Sequence, residues 1–130
     1  MNMNATGIIL LIIMILFAVY YFVYENDKFR QIPFDSQRWL KSDAYHRGWM
    51  MDDLIESKIL LNRTEDQIVR ILGQPDEIHQ RKEYNEYQWE YDLGIVDSNS
   101  IFMPPYDYWL IIIFDERGQV NRTLVYRRGF

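Results

Sequence analysis

An uncharged apolar run near the N-terminus constrains this chain more than any other feature. From Ala5 to Tyr24 the sequence reads ATGIILLIIMILFAVYYFVY, 20 residues without Asp, Glu, Lys or Arg. A helix of that length rises by about 30 Å, the thickness of a bilayer hydrocarbon core. The run is apolar on every side, unlike a helix that packs one face on a soluble core. The sequence therefore predicts an N-terminal transmembrane anchor over residues 1–24, which contacts the lipid bilayer through residues 5–24.

A cleaved secretory signal is the alternative interpretation of this run. Such signals begin with basic residues and end at a small-x-small cleavage site. The first six residues contain no Lys or Arg, and Ala18 is followed by Val19, Tyr20 and Tyr21. We therefore predict that the helix is retained as a signal anchor. This makes the protein a single-pass protein of the inner (cytoplasmic) membrane.

The remainder of the chain is charged and mildly acidic. All 14 basic and 19 acidic residues follow Tyr24 and give a net charge of −5, and the 130 residues include no cysteine. Nucleic-acid binding is excluded because it requires a basic surface to neutralise phosphates. Disulfides and thiol catalysis are excluded by the cysteine count. This length leaves room for one domain, which we place at residues 34–130 after a juxtamembrane linker at residues 25–33.

Helical signals dominate the first half of this domain. Asp35 or Ser36 caps a short helical turn, and apolar spacing predicts a helix over residues 47–57. A second helix begins at Thr64, which forms a capping box with Gln67. It ends at Gly73, where we expect a left-handed cap, and Pro75 prevents its continuation.

Strand signals dominate the second half. Strict alternation over residues 87–93 places four apolar side chains on the face that we expect to meet the helices: Tyr87, Trp89, Tyr91 and Leu93. Residues 108–114 are apolar on both faces and should form a central strand, with further strands at residues 77–83 and 119–127. The predicted fold is α+β, a two-layer sandwich of two helices on a three- or four-stranded antiparallel sheet. Residues 94–107 form either a mobile loop or an extra hairpin in which residues 95–96 face residues 101–102.

Two segments resemble the SmpA/OmlA family of small envelope lipoproteins. Residues 60–77 (LLNRTEDQIVRILGQPDE) are similar to the family's helix signature, although Asn62 stands where the family usually has Gly. Residues 109–120 (WLIIIFDERGQV) are similar to its W-L-x-I-x-F-D-x-x-G-x-V hairpin. The resemblance implies a β-lactamase-inhibitor-like fold and a protein partner in envelope assembly or maintenance. Family members carry a lipidated cysteine where this chain has its apolar helix.

The sequence offers little material for catalysis. His46 and His79 have no obvious partners in sequence and are interpreted as surface residues. A group of three acidic residues has the helical spacing of a metal site, but a solvated helix face explains it better: Asp52, Asp53 and Glu56. The chain has neither a Gly-rich phosphate loop nor a G-x-S-x-G nucleophile motif. We therefore predict no enzymatic activity, cofactor or metal.

Aromatic and apolar residues outside the periodic segments are the candidates for partner binding. These residue types are enriched in the centres of protein interfaces. One group lies in the long loop, and the other lies in the first half of the domain: Phe102, Met103, Pro104, Pro105 and Tyr106; Trp39 and Trp49. Packing of these side chains in the domain core is the alternative.

Together these features predict a membrane-anchored, non-catalytic protein-interaction module of the cell envelope. The alternative is an inhibitor or immunity-type protein that blocks an enzyme through its aromatic loops. Orientation is the least constrained feature: Lys28 and Arg30 follow the span, which favours a cytoplasmic domain. The family resemblance implies a periplasmic domain, and we follow it.

Overall fold

The computed structural model describes residues 4–28, 31–96 and 105–129, and within the first helix it describes the side chains of residues 4–22. The chain divides into two compact units, residues 1–30 and residues 31–130.

The first unit contains helix α1, Ala5–Lys28. Its segment Ala5–Phe22 is long and apolar enough to cross a membrane, and none of that segment is buried inside the protein. A secretory signal near the N-terminus meets the same criteria of length and composition. The helix continues through residues 25–28, which we predicted to be linker. Its backbone hydrogen bonds do not require apolar side chains, so the end of the apolar run does not fix the end of the helix.

The second unit begins earlier than the predicted boundary at residue 34. The backbone N–H of Ile32 donates to the carbonyl of Trp49 at 2.8 Å, and that of Phe34 donates to Asp53 Oδ2 at 2.7 Å. The Gln31 side chain also bonds to the backbone at Gly48 and Asp52. Residues 31–33 therefore belong to the folded domain and not to a linker.

Four short helices precede the sheet: α2 Ser36–Lys41, α3 Ala44–Gly48, α4 Met51–Glu56 and α5 Glu65–Leu72. The Asp35 carboxylate caps α2, as predicted. The single helix predicted over residues 47–57 is wrong. Asp43 caps a helix that starts earlier, because its carboxylate accepts from the backbone N–H of His46. That helix ends at Gly48, and α4 begins three residues later.

Helix α5 follows the sequence closely at its start and differs at its end. Thr64 and Gln67 form the predicted capping box, and Asn62, which stands where the similar family usually has Gly, has a left-handed φ of 65°. Gly73 has φ 81° and ψ −172°. This conformation is accessible essentially to glycine alone, but it is not the left-handed helical cap that we predicted.

Side chains from other elements complete the C-terminal end of α5. The carbonyl of Ile71 accepts from Ser36 Oγ at 2.7 Å. The carbonyl of Leu72 accepts from Trp39 Nε1 at 3.0 Å, and that of Gly73 accepts from Tyr91 OH at 2.8 Å. Because these carbonyls lack partners within the helix, α5 ends on contacts with α2 and the sheet.

The described part of the chain forms one antiparallel sheet in the order β1-β2-β3-β4. Its strands are β1 Glu77–Arg81, β2 Glu86–Val96, β3 Tyr106–Phe114 and β4 Val120–Gly129. A short 3-10 helix, Lys82–Tyr84, joins β1 to β2. The α+β class is confirmed, and β3 lies in the interior of the sheet as predicted.

The extra hairpin that we considered within residues 94–107 requires a correction. Ile95 and Val96 pair with Asp107 and Tyr106 and so extend the β2–β3 ladder, whereas residues 101–102 lie outside the described residues. The register shifts between Asp92 and Ile95. Gly94 lies at this shift with φ 86°, and a Cβ there would lie 2.8 Å from the Cα of Tyr45. Glycine therefore allows α3 to contact the sheet closely.

The core lies between the helices and one face of the sheet. As predicted, Trp89, Tyr91 and Leu93 of β2 are buried against helix residues such as Leu54 and Ile68, and Tyr87 packs against them at the margin. The residues of β3 alternate: Leu110, Ile112 and Phe114 join this core, whereas Trp109, Ile111 and Ile113 form a separate cluster on the other face.

Candidate protein-interaction surface

Trp39, which we predicted to bind a partner, is a core residue. Its side chain is fully buried and makes edge-to-face contacts with Phe34 and Tyr91 at centroid distances of 5.9 and 6.3 Å. Its indole N–H is bonded to the Leu72 carbonyl. Because no surface of Trp39 remains for a partner, we withdraw it as a binding residue.

Trp49 is half-buried in an aromatic group with Tyr45 and His46. The ring centroids lie 5.9 Å from Tyr45 and 4.9 Å from His46. The His46 ring also meets a carboxylate, with Nδ1 2.7 Å from Asp43 Oδ1. The pKa of Asp43 is lowered mainly by the hydrogen bond from the backbone N–H of His46 and, to a smaller extent, by the hydrogen bond from the His46 ring. Trp49 therefore stays a candidate, with part of its surface used within the domain.

The long aromatic segment is described only at its end. Phe102, Met103 and Pro104 lie outside the described residues. Pro105 and Tyr106 are half-buried, and the Arg127 guanidinium lies 4.2 Å from the centroid of the Tyr106 ring. The described part of this segment is thus built into the β3–β4 pair.

A surface that we did not predict lies on the sheet face opposite α2–α5, which we call the open face. Strand register places three residues of β3 beside alternate residues of β4. Together they form an apolar stripe: Trp109, Ile111, Ile113, Leu124 and Tyr126. Among the described residues of the domain, no helix side chain joins this cluster. The β3 residues of the stripe are nevertheless 2–8% exposed, and side chains of the sheet such as Arg128 lie against them.

Arginines of β4 border the open face on one side. The Arg128 guanidinium lies 5.4 Å from the Trp109 ring centroid, and Trp109 Nε1 donates to Asp107 Oδ2 at 2.7 Å. A cavity of about 430 Å³ crosses the stripe and is lined by residues that include Arg122, Arg128 and Tyr126. Tyr126 is 49% exposed. Arginine, tyrosine and tryptophan over an apolar centre are typical of interface hot spots.

Carboxylates of β1 and β2 border the open face on the other side. His79 Nε2 lies 3.1 Å from Glu77 Oε2 and 3.1 Å from Glu90 Oε2. The hydrogen bond to Glu77 and the charge of Glu90 raise the pKa of His79. The hydrogen bond to His79 lowers the pKa of Glu77. Glu90 is 5% exposed, and Gln88 Nε2 donates to its second oxygen at 3.0 Å.

One residue of the acidic group that we interpreted as a solvated helix face (Asp52, Asp53 and Glu56) has a structural role. Asp53 accepts the backbone N–H of Phe34 and thereby attaches residues 31–34 to α4. Among the described residues, the group that brings three metal-ligating side chains together is Glu77, His79 and Glu90, whose donor atoms all lie within 4.8 Å of one another.

Sequence reasoning missed the open face although one signal indicated it. Residues 108–114 are apolar on both faces of the strand, and we used this pattern only to predict an interior strand. A strand of this kind is normally covered on both faces. The predicted helices could cover only one face of the sheet, so the other apolar face had no predicted partner. The Glu77–His79–Glu90 group had no such signal, because it depends on the register that pairs Glu77 with Glu90.

Comparison with known proteins gives no relative from which function can be transferred. No family model matches the chain. No curated protein and no solved structure matches it either.

Proposed function

We propose that this protein is a membrane-anchored, non-catalytic protein-interaction module of the cell envelope, and that its partner binds the open face. One observation carries the proposal: β3 is apolar on both faces, and the helices of the described domain cover only one of them. Side chains of the sheet, and not a second layer of helices or strands, lie over this apolar stripe, and an apolar surface that becomes exposed when such side chains move can bind a protein partner.

The chemistry of the open face indicates the kind of partner. Arg122 and Arg128 lie beside the stripe and can pair with carboxylates, and Tyr126 offers both an apolar ring and a hydroxyl group. We expect a protein segment with aliphatic or aromatic side chains and at least one acidic residue. Withdrawal of the arginine side chains from the stripe would expose the apolar centre to such a partner.

The N-terminal helix supports a membrane location. We propose that α1 is an uncleaved anchor in the inner membrane and that the domain lies on the periplasmic side. The resemblance of residues 60–77 and 109–120 to SmpA/OmlA supports an envelope role and stays a prediction. The alternative of an inhibitor acting through residues 102–106 has no support from the described residues Pro105 and Tyr106, which are half-buried.

Site-specific photo-crosslinking in intact cells tests the interaction. The photo-reactive amino acid p-benzoylphenylalanine is placed at Tyr126 or Arg122 on the open face, and at Glu56 or Arg70 on the helix side as matched exposed controls. We expect one discrete adduct from the open-face positions, and we expect Arg128→Glu to reduce its yield at least several-fold. Adducts from the control positions alone would contradict the assignment of the surface. Absence of adducts at all four positions would contradict the interaction function.

Cysteine labelling tests orientation, because the chain contains no cysteine. Glu116 is exposed in the turn between β3 and β4, so Glu116→Cys introduces one accessible thiol. A membrane-impermeant maleimide should label this variant in spheroplasts before lysis. Labelling only after lysis would place the domain in the cytoplasm, and absence of α1 from the mature protein by mass spectrometry would contradict the anchor.

A further inference from the structure

Three potential metal ligands meet at the acidic border of the open face. Glu77 and Glu90 are direct cross-strand partners, and His79 lies two residues after Glu77, on the same face of β1. The three donor atoms therefore come from two adjacent, hydrogen-bonded strands. A site on strands holds its ligands more rigidly than a site on a loop.

The spacing of the donor atoms suits a small divalent ion. Zinc binds imidazole nitrogen and carboxylate oxygen at about 2.0–2.2 Å with tetrahedral geometry, which requires neighbouring donor atoms to lie roughly 3.3 Å apart. His79 Nε2 is 3.1 Å from an oxygen of each glutamate. Small side-chain rotations would therefore create the site, without a change in the backbone.

Glu90 is the best-positioned of the three ligands. Its side chain is 6% exposed, and the Gln88 amide donates to Oε1 at 3.0 Å, which leaves Oε2 directed to His79. Hydrogen bonds of this kind orient metal-ligating carboxylates and are part of functional metal sites. Glu77 and His79 are about half-exposed, so water has access to a fourth coordination position.

The donor set distinguishes among metals. Calcium and magnesium prefer sites made of oxygen ligands alone and usually need more of them. Two carboxylates and one imidazole suit zinc and its divalent transition-metal neighbours, and zinc accepts this mixture without a redox change.

The second histidine provides a built-in comparison. His46 is also exposed and also contacts a carboxylate, with Nδ1 2.7 Å from Asp43 Oδ1. Within the described part of the chain, no third metal-ligating side chain comes within the same range of this pair. His46 therefore contacts one carboxylate, whereas His79 contacts two.

We propose that Glu77, His79 and Glu90 form a zinc site on the open face, completed by water. This inference does not depend on the proposed partner. Zinc binds the neutral imidazole and competes with protons for its ring nitrogen, so zinc affinity should rise as the pH increases. The charged groups nearby are Arg128, which interacts with Glu77, and Arg81 and Arg122, which line the same cavity as Glu90.

Calorimetric titration of the full-length protein in detergent micelles with zinc chloride tests the site. At pH 7.5 we expect one zinc ion per chain, release of protons, and no competition from a hundredfold excess of magnesium. His79→Gln, at a half-exposed position that should not affect folding, should weaken binding tenfold or more. His46→Gln, the matched control, should bind as the wild type does.

Two further measurements separate a metal site from a salt-bridge network. Cobalt(II) should give the visible absorption of a low-coordinate site in the wild type and lose it in His79→Gln. Glu90→Gln should also lose zinc while its circular dichroism spectrum stays native. Zinc binding that is equal in wild type and His79→Gln, that is unchanged between pH 7.5 and pH 5.5, or that is absent altogether would overturn the proposal.

Discussion

The two faces of β3 carry similar apolar residues in different surroundings. Leu110, Ile112 and Phe114 lie in the helix-covered core, where polar side-chain atoms such as Trp39 Nε1 bond to backbone carbonyls. On the open face, Trp109 and its neighbours lie among arginine, glutamate and tyrosine side chains of the same sheet. The helices over the core face are held in place by their packing and hydrogen bonds. The side chains over the open face can change rotamer and move. A residue with low exposure is therefore permanently covered on the core face, whereas on the open face it can become exposed when a neighbouring side chain moves.

The largest effect should come from a charge placed in the helix-covered core. Leu72 is fully buried, so Leu72→Asp would place an unpaired carboxylate beneath the sheet. We expect a loss of more than about 4 kcal/mol in the free energy of unfolding, enough to unfold the domain. Circular dichroism and thermal melting provide the measurement. Arg70→Asp, at an exposed position of the same helix, should cost less than about 1 kcal/mol; similar melting of wild type and Leu72→Asp would refute the assigned core.

Substitution of two neighbouring isoleucines of β3, one on each face, tests the difference between the faces directly. Ile112 is 0% and Ile111 is 6% exposed. Ile112→Ala should lower the free energy of unfolding by roughly 3–4 kcal/mol, because the surrounding helices cannot close the cavity. Ile111→Ala should lower the free energy of unfolding by about 1–2 kcal/mol, because arginine and tyrosine side chains can move into the space and reduce the cavity. Urea unfolding with unchanged m-values measures both. Equal losses would mean that the open face is packed as rigidly as the core.

Removal of an indole N–H provides a comparison of polar groups. Trp39→Phe should cost about 1–3 kcal/mol, because the Leu72 carbonyl would be left buried without this donor. Trp109→Phe removes a hydrogen bond to Asp107 that lies near the surface, where water can replace it, and should cost less than about 1 kcal/mol. Chemical denaturation of both variants tests the difference. A Trp109→Phe variant that loses as much stability as Trp39→Phe would contradict it.

The smallest effect concerns the charges at the border of the open face. The folded-state pKa of His79 is raised above its ordinary value of about 6.5. Its contribution to stability is therefore fully present below that value and is lost as the pH rises through the raised pKa. In metal-free buffer, wild type should be more stable than His79→Gln near pH 6, and the difference should decline above pH 7. Thermal melts across this range measure it, and a difference that grows with pH would have the wrong sign.

Local signals predicted the parts of the fold that depend on neighbouring residues. The capping box at Thr64 and Gln67 involves residues three positions apart, and the alternation in β2 follows from the period of a strand. The break between α3 and α4 was missed because the apolar spacing continues through it. The end of α1 was missed because helical hydrogen bonds extend into polar sequence.

The candidate sites depend on long-range contacts and were harder to predict. Trp39 and Trp49 have similar sequence surroundings, but Trp39 packs in the core and its indole donates to a carbonyl 33 residues away. The Glu77–His79–Glu90 group requires the β1–β2 register. The open face results from an absence of helices over one side of the described sheet; the apolar pattern of β3 indicates that both faces of the strand are covered, but not what covers each of them. Binding by Phe102, Met103 and Pro104 stays a prediction.

The hydrogen bonds that distant side chains donate to the last carbonyls of α5 couple the formation of this helix to the folding of the rest of the domain. An eight-residue helix is too short to persist alone in water, and three successive carbonyls at its end accept from Ser36, Trp39 and Tyr91. Those donors come from α2 and from β2, so α5 reaches its final state only when both are in place. We expect the amide protons of α5 to exchange with solvent at the rate of global unfolding, together with those of β2 and β3, and not through local fraying.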